Sequence, residues 1–191
     1  MKLFGAKEGN GESAELSLKI GMRKLWADHV IWTRGYIVEV LKDAPDTGQA
    51  ASRLLRNQDD LGNALVPYYG KEGGAKLTEL LKQHIMIAVD LVAAAKSGDQ
   101  SKFTVYDQKW TQNANDLAGF LSSANPNWTK EDLIDLLGQH LTLTKNEVVA
   151  RLSQKWDVDI QTFDDIFTEI NTVADTLSAG IIKQFPDRFG R

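Results

Sequence analysis

Cysteine is absent from the 191 residues. Its absence excludes a disulfide scaffold, thiol catalysis and any thiolate-bound zinc or iron–sulfur centre. Proline is scarce, with four residues in all, so little interrupts long helices. Neither charge sign dominates. Lys and Arg number 22 against 26 Asp and Glu, for a net charge of −4. That mild acidity offers no footprint for a phosphate backbone, so nucleic acid is not an expected partner. No apolar run approaches the ~18 residues that span a bilayer; the stretch Ile85-Met86-Ile87-Ala88-Val89 ends at Asp90. The phosphate-cradling Gly-x-x-x-x-Gly-Lys-Ser/Thr, a Gly-x-Gly-x-x-Gly after a strand and the nucleophile motif Gly-x-Ser-x-Gly are all missing. Alternating strand patterns with hairpin turns are also nearly absent.

What remains is helical periodicity. Leu18, Met22, Leu25, Trp26, His29, Trp32, Thr33, Tyr36, Ile37 and Val40 step by three or four and share one face. Asp43-Ala44-Pro45-Asp46 stops that helix, because the residue before proline is pushed out of the helical region. The pattern continues over about 46–66, 75–96, 100–122, 129–152 and on to Pro186. Breaks fall at Pro67-Tyr68-Tyr69-Gly70 with Gly73-Gly74, at Ser97-Gly98-Asp99, and at residues 123–128. Thr129 reads as the N-cap of the fifth helix, with Glu131 and Asp132 favouring its positive end. The fold class expected is all-α, a six-helix bundle. Residues 1–12, glycine-rich and charged, read as a flexible leader, and residues 13–191 as a single helical bundle domain. The leader holds no apolar stretch of a secretory signal. A cytoplasmic protein is expected from the sequence as given, or an extracytoplasmic one if a signal peptide has been removed.

Three segments align on a histidine: Leu25-Trp26-Ala27-Asp28-His29, Leu80-Leu81-Lys82-Gln83-His84 and Leu136-Leu137-Gly138-Gln139-His140. The histidines stand 55 and 56 residues apart, and each segment leads towards a proline loop at Pro67, Pro126 or Pro186. The spacing suggests three tandem αα-hairpins of about 56 residues. Each histidine lies about 21–26 Å of helix from its own turn. If the first, third and fifth helices run parallel, the three imidazoles lie at one level and face inward.

Three neutral imidazoles suit a divalent transition metal, and three ligands with an open position is a catalytic zinc pattern. The candidate metal set is His29, His84, His140 and Glu147. Glu147 lies two turns beyond His140 and could serve as ligand, acid/base or orienting group. An ordinary i,i+4 pair with Arg151 also explains it. Equally, each histidine can be a buried neutral ring bonded to a nearby polar group, with Gln58 and Asn113 available. Thr33 and Thr144, each four residues after a histidine, can hold a ring or bond their own helix carbonyl. Asp157, Asp159, Asp164 and Asp165 lack calcium-loop spacing and read as a solvated helix start. Trp26, Trp32 and Trp110 read as core anchors. Trp128, Tyr68 and Tyr69 fall in loops and are the candidate ligand-binding surface.

The segments Asp28-His29-x-x-Trp32-Thr33-Arg34, Pro67-Tyr68-Tyr69-Gly70, Phe120-Leu121-Ser122-Ser123-Ala124-Asn125-Pro126-Asn127-Trp128, Glu147-Val148-Val149-Ala150-Arg151 and Gln184-Phe185-Pro186 carry a likeness. The chain, from about Met22 to Phe189, resembles a family of small bacterial all-helical proteins whose members carry labels such as glycosyltransferase or acetylglutamate kinase. The resemblance implies a helical fold and brings no assigned catalytic residues. The expected function is a non-enzymatic bundle that binds a metal, a small ligand or a partner protein. The alternative is a metal-dependent enzyme with three histidine ligands and Glu147 as acid/base. A purely structural module with the loop aromatics as contact surface is the third reading.

Overall fold

The computed structural model describes residues 11–191, with side chains from residue 14 onward. The leader expected at 1–12 lies outside the described residues except for Gly11 and Glu12, which already begin a helix. Five α-helices follow one another: α1 (Gly11–Leu41), α2 (Thr47–Ser97), α3 (Gln100–Ala124), α4 (Lys130–Leu152) and α5 (Trp156–Gln184). A short 3-10 turn, Pro186–Phe189, ends the chain's described structure. No strand occurs among the described residues.

The helix ends follow local chemistry. After α1 the chain turns at Asp43, which adopts the left-handed φ of 56°, while the N–H groups of Lys42 and Ala44 bond back to the Glu39 carbonyl. Gly98 (φ 71°) closes α2, and the Asp99 N–H returns to the Ala94 carbonyl, satisfying a carbonyl the helix end would leave open. Asp99 and Thr129 cap α3 and α4 by accepting from the N–H groups of Lys102 (3.0 Å) and Asp132 (3.1 Å).

The expected six helices are five. The stretch from Pro67 to Gly74 does not open into a loop; α2 runs 51 residues as two helical arms that meet directly at one non-helical residue, Gly70 (φ 73°, ψ 176°), and so counts as one bent element. Gly73 and Gly74 lie inside the element because packing, and not chain termination, requires a small residue there. Past the bend α2 doubles back so tightly that a Cβ on Gly62 would lie 2.6 Å from the Gly74 carbonyl oxygen. One on Gly74 would lie 2.7 Å from the Gly62 oxygen. Thr78 donates to the Gln58 carbonyl across the same seam.

Packing closes the helices into a ring. α1 lies against α2 and α5, α3 against α2 and α4, and α4 against α5. Leu18, Met22, Val30, Leu61, Leu117, Ile170 and Ile181 belong to one continuous apolar core inside it. Each fully buried side chain of this kind contributes about 1.5–3 kcal/mol. No helix among the described residues is long and apolar enough to cross a membrane.

The loop aromatics take a different place from the one expected. Trp128 is buried, and its indole N–H donates to the Thr176 carbonyl at 3.2 Å. It lies so close to Gly180 that a Cβ there would fall 1.9 Å from the indole nitrogen. Tyr69 donates to Gln184 (2.8 Å) and accepts from Asn125 (2.9 Å), and Tyr68 is half-buried against Phe185 and Phe189. These three rings plug one end of the bundle, since the loop carrying Trp128 folds inward against α5 and Tyr69.

The Gly62–Gly74 seam makes a contrast that is easy to measure. Gly62→Ala is expected to lower unfolding free energy by about 1–3 kcal/mol through overpacking. Gly138→Ala, an exposed helical site with open space around its Cβ, is expected to raise it by about 0.5–1 kcal/mol. Urea unfolding of the two variants beside the parent checks both signs.

Candidate functional site

His29 on α1, His84 on the second arm of α2 and His140 on α4 do meet inside the bundle. All three are buried. The ring centroids of His29 and His140 are 5.6 Å apart, and those of His84 and His140 are 6.5 Å apart. Each ring is held through Nδ1 by the residue 29 positions further along. His29 meets Gln58 Nε2 at 3.3 Å, His84 meets Asn113 Oδ1 at 2.8 Å, and His140 meets Glu169 Oε2 at 3.0 Å. Gln58 and Asn113 are the partners the sequence offered. Glu169 is the one it hid: the offset of 29 common to the first two pairs, added to His140, arrives at Glu169.

The partners set the tautomers. Asn113 spends its amide N–H on the Leu80 carbonyl, so its oxygen accepts and His84 carries its proton on Nδ1. The Glu169 carboxylate likewise accepts from His140 Nδ1. Gln58 instead presents its N–H, anchored on the Leu54 carbonyl at 2.8 Å, so His29 Nδ1 accepts and its proton sits on Nε2. An imidazole's two nitrogens lie on opposite edges, so each Nε2 turns away from its partner. No described residue bonds these Nε2 atoms. Thr33 and Thr144 bond the carbonyls of His29 and His140 in their own helices and do not reach the rings.

Two narrow cavities flank the rings, and all three histidines line both. One also touches Trp110, Thr144 and Val148; the other touches Trp26, Leu81 and Leu137. Each has a volume of about 20 Å³ at the centre of a water-sized sphere. That is enough for about one water or ion and too little for an organic ligand of ordinary size. Four buried polar atoms beside this centre have no hydrogen-bond partner: the indole nitrogens of Trp26 and Trp110, Gln58 Oε1 and Glu169 Oε1. Buried polar atoms are nearly always paired, so four unpaired ones around one centre are unusual.

Burial also sets the charge. His29 is held well below its ordinary value of 6.5, first by desolvation and then by His140 and His84. His84 is lowered to about 3 by the same desolvation, aided by His140. Both are neutral rings with a lone pair at neutral pH. Among the described residues, no group of three or more His, Asp or Glu stands in a geometry that could hold a metal ion.

Glu147, proposed as the fourth member, is not with the histidines. It is buried and ion-paired to Arg34, whose guanidinium also grips Asp159 at 3.0 Å, while Arg151 reaches Asp159 at 2.6 Å. The i,i+4 partner Arg151 therefore goes to α5, and Glu147 pairs across to α1. Asp159 is not solvated either; it is the buried acid that both arginines share. Desolvation, only partly offset by Arg34, pushes the Glu147 carboxyl up to about 7. This ionic knot ties α1, α4 and α5 together beyond the histidines.

The chain matches no protein-family model, no curated protein and no solved structure.

These charges fix how stability responds to acid. Between pH 6.5 and 4.5 the unfolded chain protonates His29 and His84 and the folded chain does not. Each therefore costs about 1.4 kcal/mol per pH unit as pH falls. Glu147 acts in the opposite sense from 7 down to 4.5, because its folded carboxyl takes up the proton first. Two rings outweigh one carboxyl, so unfolding free energy is expected to drop by about 1.4 kcal/mol per unit over this window. Glu147→Gln is expected to about double that slope and His84→Gln to flatten it. Urea titrations at a series of pH values measure all three.

Proposed function

We propose that this protein is a non-catalytic binding bundle that holds one very small polar guest at its buried three-histidine centre. The observation that carries the reading is the set of three imidazoles, each fixed at Nδ1 and left unbonded at Nε2, around cavities the size of a single water or ion. The unpartnered indole nitrogens of Trp26 and Trp110 support it, because each of these residues lines one of the cavities, where a guest offers a partner. Catalysis draws no support from Glu147, whose carboxyl is occupied by Arg34.

We also infer that the bundle derives from three tandem αα-hairpins. The histidines recur at 55 and 56 residues, and so do the partners Gln58, Asn113 and Glu169. In the first unit the two tasks are divided: Gln58 holds the ring, and Asn57 caps the Leu25 carbonyl four residues before His29. Asn113 alone does both in the second, bonding His84 and the Leu80 carbonyl. On this reading the bend at Gly70 is the turn of the first interval between units.

The test compares the mass of the untagged protein under native and denaturing conditions, followed by stripping with chelator and mild acid. A mass excess in the native state, and a melting temperature that falls when it is removed, are expected. Equal masses and an unchanged melting temperature would leave the histidines as internal scaffolding alone.

A further inference from the structure

We propose that the outer face of α1 and α5 is the interface of a homodimer, in which a two-fold axis running across the helices sets the basic end of each copy against the acidic end of the other. This interface uses surface residues alone and is independent of the histidine centre.

The face begins as an exposed apolar pattern. On α5, Trp156, Ile160, Phe163 and Phe167 are spaced four, three and four residues apart, so they form one stripe along the helix. Trp156, Ile160 and Phe167 are 50, 55 and 39 % exposed. The rings of Phe163 and Phe167 lie 6.4 Å apart, and Phe163 is half-buried under the Arg34 guanidinium at 4.7 Å. On α1, Ile20 and Ile31 stand eleven residues apart on one side of the helix and are 60 and 47 % exposed. Arg23 bonds Asp175 and Arg34 bonds Asp159, so the two neighbouring helices run antiparallel and Ile31 lies at the height of Phe163 and Phe167. Single apolar residues on a surface are ordinary, but a stripe that continues across two adjacent helices marks an interaction surface.

Charge names the occupant. The antiparallel register divides the face into two ends. One end, residues 14–26 of α1 with 170–184 of α5, carries four basic residues against two acidic ones. The other, residues 27–41 with 156–169, carries one basic residue, Arg34, against seven acidic ones. Lys19 and Lys24 are exposed at the first end, and Asp157, Asp164 and Asp165 at the second. Two copies laid like end on like end repel; turned end for end they attract at both ends, and a single two-fold axis makes both matches at once. A partner of uniform charge suits one end and opposes the other, so the face is its own best complement.

The size also suits a second copy. Residues 156–183 of α5 span about 40 Å, and two packed helices make a face about 20 Å wide. The resulting area of roughly 800 Å² per copy is what a standard specific interface buries on each side.

The test uses the full chain at about 100 µM in low salt, where an interface of this size assembles even at micromolar affinity. Sedimentation velocity is expected to show twice the chain mass of 21.2 kDa, falling towards the single-chain value as salt is raised. Ile31→Ser and Ile160→Ser are each expected to weaken the dimer about 10-fold. Both sites are exposed, so helix content by circular dichroism is expected to stay unchanged. Lys19→Glu with Lys24→Glu presents acids at both ends, and Asp157→Lys with Asp164→Lys and Asp165→Lys presents bases at both. Each of these variants alone is expected to be monomeric, and an equal mixture of the two to form a heterodimer. A monomeric parent chain overturns the proposal and leaves the face to a different protein. A dimer indifferent to these substitutions uses another face and overturns it as well, and a mixture no tighter than its components overturns the end-for-end arrangement.

Discussion

A buried imidazole must bond something, and that requirement organises this molecule. Each of three helices carries one such ring into an apolar interior, and each ring finds its bond on the helix that follows. Sliding any pair by one turn, about 5.4 Å, would strand a ring and its partner together without water, at about 1–3 kcal/mol for each orphaned group. Apolar side chains alone tolerate such slips, because one leucine replaces another. The polar pairs set a single register for α1 on α2, for α2 on α3 and for α4 on α5.

The polar groups are distributed along the bundle with distinct tasks. At one end Trp128, Tyr69, Asn125 and Gln184 form a plug in which nearly every donor is spent. The histidines lie in the middle, buried, each bonded at one nitrogen edge and lining the cavities. Towards the other end Arg34 and Arg151 share Asp159, with Glu147 beside them. The plug and the ionic knot are saturated. The middle is not, and the contrast within one molecule singles it out more clearly than the histidines themselves do.

Much of this was legible in the sequence. The helical period, the turn at Pro45, the stop at Gly98 and the Thr129 cap each follow from a local rule, and all stand in the structure. The inward convergence of the histidines was readable from spacing, because a regular helix turns spacing into height. What was not readable depends on partners far along the chain. Gly73 and Gly74 look like a break until Gly62 is seen pressing on them from the other arm. Trp128 looks like a surface residue because its loop is short and polar, and only Gly180 reveals the space it fills. Glu147 offered a near partner in Arg151, yet a buried carboxyl takes the guanidinium with the best access, and that is Arg34. Glu169 sits among ordinary helical residues, so nothing in its neighbourhood announces it.

The closure of the ring by α1 against α5 has a kinetic side. Within a hairpin, the contacts join residues about 30 positions apart and form through short loops. The closing seam instead joins Arg23 to Asp175 and Arg34 to Asp159, across 152 and 125 residues. Loop entropy rises with separation, so this seam carries the largest closure cost in the ring and is expected to close after the local pairs. Until it does, α1 has an uncovered flank and His29 has not yet been roofed over by α5.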